Sequence, residues 1–316
     1  MKTEKDLSTF LQFTNKIGYD IGKDAAQNLE VHFQKTFDFM PELAMFMMSY
    51  TVKKTFSRQT QAPRFIEDGI CFYFKNILAA DKSEGTGEKS NVPSAAPCVH
   101  VFPASRISTS TFKKGHQVNI VTLFIRAAYL KSFLKDDAAQ FGYLFNNRND
   151  FLIEEIMTDD ILRTVNELAK IDETSILTAY YYKLKAMELL FHLFTSLSKR
   201  EKTAHSKLSQ SEIDAIYKVR AKLISSLSAP VPISELKQIA AMNELKMRHI
   251  FIQVFGMGIY DYYQYWRIKE AARLLREQRL SVSQAGYELG FTNLSHFSRV
   301  FERHMGMKPK KYAMLS

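Results

Sequence analysis

This sequence offers no disulfide framework, no membrane span and no phosphate loop. Cys71 and Cys98 are its only cysteines in 316 residues, too few to staple a chain this long. A redox pair is conceivable on count alone, but neither thiol has the C-x-x-C or basic setting of a reactive thiolate, so both read as ordinary thiols. With 12 Gly and 8 Pro, collagen-like and low-complexity chains are excluded. The longest apolar runs, such as Leu43 to Met48, fall far below the ~18 residues that crossing a bilayer requires. No membrane is expected as a partner. The N-terminus mixes both charge signs and is not followed by an apolar core of signal-peptide length, so the expected location is cytoplasmic.

Catalytic signatures are equally scarce. The GTGEKS run has Glu88 between Gly87 and Lys89, which breaks the Gly-Lys step of a phosphate loop. There is no Ser-His-Asp set, no Gly-rich nucleophile elbow and no His-x-His plus Glu pattern. Cys98, His100 and His116 read as isolated strand residues. No catalytic residue, cofactor or metal is therefore expected.

What is present is an ordinary globular composition, 46% apolar and 24% charged, with a net charge of +10. The length predicts two domains. The charge is uneven: residues 208–316 hold 16 Lys/Arg against 9 Asp/Glu, most of the excess, which points to an anionic partner for the last third. Between the parts runs a polar stretch, Ser198 to Ser211, without helical apolar periodicity. It places the boundary near Lys207, with a domain over 1–200, a linker over 201–210 and a second domain over 211–316.

The first domain opens with β-branched and aromatic runs at 31–39, 43–56, 69–77, 98–102 and 118–125, the pattern of a barrel or sandwich. Residues 80–97 have the composition of an exposed loop. Helices are predicted over 150–170 and 174–199. In the latter, Leu177, Tyr180, Leu184, Met187, Phe191 and Phe194 follow 3/4 spacing and form a candidate homodimer seam, while Leu189, Leu190 and Leu193 give a second apolar flank that can serve the barrel. Packing of the first stripe on its own domain is the competing reading. The many aromatics either fill a core or line a cavity for an apolar or aromatic small-molecule effector.

The second domain is helical by period and contains a near-repeat. At an offset of 50, Met247 aligns with Phe297, Ile250 with Val300, Phe251 with Phe301, Gly256 with Gly306 and Tyr262 with Tyr312. Each unit reads as a short helix, a tight turn and a longer helix stopped by Gly, with Ser234 and Asn243 as caps in the first and Ser281 or Ser283, then Thr292 or Asn293, in the second. That is a helix-turn-helix signature, twice. Burying Met247, Ile250, Phe251 and Val254 turns Leu245, Lys246, Arg248, His249 and Gln253 outward. Burying Phe297, Val300 and Phe301 turns Asn293, Ser295, His296, Ser298, Arg299 and Arg303 outward. Arg and Lys suit guanine O6/N7, Asn suits adenine and an apolar Leu245 suits a thymine methyl. Base reading is thus assigned to Leu245, Lys246, Arg248, His249, Asn293, Ser295, Ser298 and Arg299. Phosphate contact is assigned to Gln253, Arg303, Lys308, Lys310 and Lys311. A helix over 259–278, about 20 residues or ~30 Å, would join the units at nearly the ~34 Å turn of double-stranded DNA.

The segment 281–312, with Gly290-Phe291, Phe297-x-x-x-Phe301, Gly306 and Pro309-x-x-Tyr312, resembles the signature of the AraC/XylS family of transcriptional regulators. Phe251, Gly256, Tyr262, Arg267 and Ala271-x-x-Leu274-Leu275 fall at family positions too. The resemblance covers roughly 210–316. It implies two helix-turn-helix units on a linking helix, promoter binding and contact with RNA polymerase, with His249 and Arg299 at the strongest base-reading positions. It also makes the first domain a cupin-like barrel followed by dimerising helices. Ala285-Gly286 stands where the family usually has Ile-Ala, and an interior Gly, ~1 kcal/mol worse than Ala in a helix, predicts a looser second unit. The fold expected is an α+β N-terminal domain, a cupin-like barrel or sandwich followed by helices, plus an all-α C-terminal domain. The function expected is DNA-binding regulation, an activator responsive to an effector. A repair or modifying enzyme fused to such a domain is the alternative, for which Pro97-Cys98-Val99-His100 departs by one inserted residue from a Pro-Cys-His nucleophile. A purely architectural DNA-binding protein is a further one.

Overall fold

The computed structural model describes residues 27–60, 68–76, 97–146, 150–170 and 176–315. The N-terminal segment and the GTGEKS run, with the rest of the expected loop up to residue 96, lie outside these. The chain divides into two compact units, one ending at Gln210 and the other running on from Ser211.

Among its described residues the first unit contains eight strands: β1 (Leu29–Met40), β2 (Leu43–Val52), β3 (Phe56–Thr60), β4 (Gly69–Lys75), β5 (Cys98–Pro103), β6 (Ser108–Phe112), β7 (Gln117–Arg126) and β8 (Ile153–Ile156). Six form an antiparallel sheet in the order β1-β2-β7-β4-β5-β8, and β3 pairs with β6 as a separate ribbon. Of the barrel or sandwich expected, no closed barrel is present among the described residues: the six-stranded sheet is open, with β1 and the four-residue β8 as its edges.

Period-two alternation sorts the sheet's side chains into two layers. On one face Met45, Met47, Phe72, Phe74, Val99, Val101 and Leu123 form the larger core with the helices. On the other, Phe46, Met48, Tyr50 and Phe124 lie in a second cluster with Phe56 and Phe112 of the ribbon, whose rings stack at 4.7 Å. β2 is buried on both sides, so it reads as a continuous apolar run. The run expected over 43–56 breaks at Lys53-Lys54, where β2 ends and β3 has yet to begin.

Helix α1 (Ala127–Leu134) and a 3₁₀ segment (Lys135–Leu144) follow β7, and α2 (Asp159–Ala169) and α3 (Thr178–Leu197) follow β8. The predicted helix over 150–170 is therefore wrong in its first third, where the chain is β8. Two glutamates, good helix formers, stand there in a strand because each is satisfied at a distance. Glu155 accepts from Arg200 Nη1 and Ser196 Oγ, both at 2.6 Å, and Glu154 faces His100. α2 begins only at its Thr158 cap, whose hydroxyl accepts from the Ile161 N–H at 3.3 Å.

α3 buries Tyr182, Ala186, Leu189, Leu190, Leu193, Phe194 and Leu197 in the larger core. Phe194, assigned from its spacing to the dimer seam, is a core residue instead. It lies edge-on to Phe141 at 4.8 Å and to Phe72 at 6.0 Å. Burying such a side chain stabilises by roughly 1.5–3 kcal/mol, which outweighs the stripe's periodicity. Met187 is half-buried against the same core. Leu177, Tyr180, Leu184 and Phe191 remain exposed, the last at 67%. The segment after α3 is coil from residue 201 to 209 and is anchored: Leu208 is buried, and its N–H donates to the Asp150 carbonyl at 3.0 Å. Asp150 also pairs with Arg106.

The second unit is helical: α4 (Gln210–Ile224), α5 (Ile233–Ala240), α6 (Glu244–Phe255), α7 (Ile259–Arg276), α8 (Val282–Glu288), α9 (Leu294–Met305) and α10 (Pro309–Met314). α7 serves both halves. Its N-terminal Tyr262 meets Phe251 and Phe255, each at 5.3 Å, and its Ile268, Ala271, Leu274 and Leu275 share a core with Phe297 and Phe301 of α9. The helix has 18 residues, or ~27 Å, two residues shorter than the sequence suggested. Among the described residues no helix is long and apolar enough to cross a membrane.

Candidate nucleic-acid interface

The site is assembled from two helix pairs, α5 with α6 and α8 with α9. In each, the second helix starts at an asparagine. Asn243 Oδ1 accepts from the Lys246 N–H at 2.8 Å, and Asn293 Oδ1 accepts from the His296 N–H at 3.0 Å. Both helices end at a left-handed glycine, Gly256 or Gly306. The first helices start differently. α8 has a full capping box between Ser281 and Gln284, whereas α5 starts at Pro232 and not at the expected Ser234, with no side-chain cap.

Two glycines set the geometry of the second pair. A Cβ on Gly286 would lie 2.8 Å from Leu294 Cδ2 and 3.2 Å from Phe297 Cδ1. Its bare backbone is thus what lets α9 lie against α8, so the glycine read as a weakness is the condition for close packing. Gly290 has φ +73°, and a Cβ there would fall 1.8 Å from the Ser228 carbonyl oxygen in the loop between α4 and α5.

That loop is also held by Arg267 of α7, a residue the sequence placed at a family position without a role. Its guanidinium donates to the Leu227 carbonyl at 3.1 Å and to the Leu289 carbonyl at 2.6 Å, and lies 3.8 Å from the Phe291 ring centroid. Burial pushes its pKa below the ordinary value, with Tyr263 and Tyr260 opposing. One buried cation therefore ties the loop between α4 and α5 to the end of α8.

The faces that remain outward carry the polar chemistry. On α6, Leu245 is 82% exposed, and Lys246 and Arg248 are exposed while His249 is half-buried. Lys246 Nζ pairs with Glu212 of α4 at 2.8 Å, and Arg248 Nε with Glu244 at 2.8 Å. On α9, Asn293, Ser295, Arg299 and Arg303 are exposed and Ser298 is half-buried. Lys308, Lys310 and Lys311 follow on the surface around α10. His304, at the end of α9, is held below its ordinary pKa by desolvation first and then by Arg303 and Lys269, against Asp261.

Two assignments need correction. Gln253 lies on the inner side of α6 and is 0% exposed, so it has no surface to offer a phosphate. Three residues on from Ile250, it falls within the buried stripe. Asn293 spends its carboxamide oxygen on the cap, and a bidentate adenine contact needs that oxygen together with the nitrogen.

Residues 236–314 match the helix-turn-helix domain family. Over 130 residues the chain is 31% identical to the HTH-type transcriptional activator RhaR of Escherichia coli strain K12, covering 41% of this chain and 46% of that one. The chain thus spans about half the length of the curated relatives it matches. Among solved structures it is similar to a probable AraC family transcriptional regulator from Rhodopseudomonas palustris, at 22% identity and TM-score 0.30 over 32% of this chain and 95% of that one. It is similar as well to the DNA-binding domain of AdpA in complex with a target DNA, at 22% identity and TM-score 0.30 over 32% of this chain and 91% of that one. Helices α6 to α10 and most of α5 lie within the matched segment, so this part of the chain carries an AraC-type helix-turn-helix domain.

Proposed function

We propose that the chain is a sequence-specific regulator of transcription, an activator, that reads double-stranded DNA with α6 and α9 and presents a further surface to RNA polymerase. The observation that carries this reading is the repetition of one device: an asparagine-capped helix with an exposed polar face, used twice on a single 18-residue strut. Each pair acts as a helix-turn-helix unit whose second helix enters the major groove. Leu245, Lys246, Arg248, His249, Ser295, Ser298 and Arg299 face the bases, and Arg303, Lys308, Lys310 and Lys311 the backbone. The name of the RhaR relative supports the activating sign.

Residues 1–200 form the sensing and dimerising part and 201–210 the connection. Leu177, Tyr180, Leu184 and Phe191 on the exposed face of α3 form the homodimer seam, with half-buried Met187 at its edge. The effector is an apolar small molecule taken up by this part of the chain, a reading supported by the half-buried aromatics of β1.

Footprinting on a selected site tests the central reading. Two protected patches about one helical turn apart, on one face of the duplex, are expected per chain. A single patch would reduce the reader to one pair. Sedimentation tests the seam, since Leu184→Glu with Phe191→Glu should give a folded monomer.

A further inference from the structure

The face of the sheet turned away from the helices brings together three side chains that the sequence keeps far apart. Cys98 and His100 are two residues apart on β5 and therefore project to the same side. Glu154 of β8 is the register partner of His100. The Cys98 Sγ, a ring nitrogen of His100 and a carboxylate oxygen of Glu154 all lie within 4.8 Å of one another, and His100 Nε2 stands 3.0 Å from Glu154 Oε2. His116, the other residue considered with this pair in the sequence, lies instead at the turn before β7.

Burial makes this cluster different from a surface group of acids. Glu154 is 4% exposed and Cys98 5%. A cation bound beside it would stabilise the Glu154 carboxylate, which is withdrawn from water. We propose that Cys98, His100 and Glu154 form a binding site for a divalent cation of the zinc class. Thiolate, imidazole and carboxylate are a zinc-like donor set, and three protein ligands leave a fourth position for water or a small ligand. The separations fit. Bonds of about 2.0 Å to nitrogen and oxygen in a tetrahedron put those two atoms roughly 3.3 Å apart, close to the 3.0 Å found here. Lys75, the register partner of Cys98, lies on the same face. The ion is therefore held chiefly by its thiolate and imidazole bonds and not by a broadly negative field of oxygens, which disfavours calcium and magnesium. Bound there, it ties the edge strand β8 to β5. The site stands independently of whether the chain binds DNA.

Titration of the purified full chain with Co²⁺ tests this. One ion per chain should bind, with the visible bands of a four-coordinate centre and a thiolate-to-cobalt charge-transfer band, and Zn²⁺ should displace it. Cys98→Ser should lose the charge-transfer band, and His100→Gln and Glu154→Gln should each weaken binding at least about tenfold. Zn²⁺ should raise the thermal midpoint of the wild type and leave that of Cys98→Ser unmoved. Cys71 cannot stand in, because it pairs with Phe102, four residues along β5 from Cys98. A wild-type chain that gives no thiolate band, or a Cys98→Ser chain that keeps it, overturns the proposal without reliance on any variant's folding.

Discussion

The two helix pairs share a plan and differ in what holds them. In the first, the turn after α5 puts Ala241 in the left-handed region at φ 51°, a Cβ is tolerated there, and the cations of α6 are already engaged by Glu212 and Glu244. In the second, the matching turn holds Gly290 against the Ser228 carbonyl, Gly286 admits α9, and among the described residues Arg299 has no ion pair. One unit has a turn that accepts a side chain and donors partly occupied, and the other has a turn that requires glycine and a donor available. Near-repeats of sequence thus diverge in the energetics of the same shape.

The sharpest way to break this contrast is at the turns. Gly290→Ala should destabilise the second unit by about 3 kcal/mol or more, from left-handed strain plus the overlap with Ser228. Ala241→Gly should instead be neutral or stabilising by up to ~1 kcal/mol. Thermal melts of the two variants compare them directly, and equal losses would erase the difference. Next in size is Arg267→Leu, which strands the Leu227 and Leu289 carbonyls and should cost about 2–4 kcal/mol in denaturant unfolding.

Smaller effects sharpen the comparison on DNA. Arg299→Ala should cost ~1–3 kcal/mol on the cognate site and flatten preference at one base pair. Arg248→Ala should cost less, because binding must first release its bond to Glu244; titration of single-base variants separates the two. Lys310→Ala should weaken all sequences alike and lower the salt slope by ~0.9. The smallest effect belongs to Glu212→Gln, which frees Lys246 and should tighten binding by no more than ~1 kcal/mol, the upper range of an exposed pair.

The C-terminal helices were legible because their signals are local. An asparagine caps a donor three residues on, a glycine ends the helix it follows, and four residues at 3/4 spacing find one core. What was missed depends on partners far along the chain. β8 was hidden because Glu154 and Glu155 favour helix, and the side chains that explain two carboxylates in a strand, His100, Ser196 and Arg200, lie more than forty residues away in sequence. The same error hid Glu154 as a companion of Cys98 and His100. Phe194 was misplaced because α3 is apolar on both flanks, so spacing alone does not say which flank meets the sheet. The role of Arg267 rests on carbonyls 40 and 22 positions away, which no composition records.

The strut has a consequence for the DNA itself. Its ~27 Å falls short of the ~34 Å between successive turns of straight B-DNA. On the proposed reading the duplex bends to close the gap. Its energy then depends on the base steps between the two contacted segments, where no side chain need reach. Flexible TA or CA/TG steps there should bind better than a stiff A-tract, so part of this regulator's choice of site would be written in the deformability of base pairs it never touches.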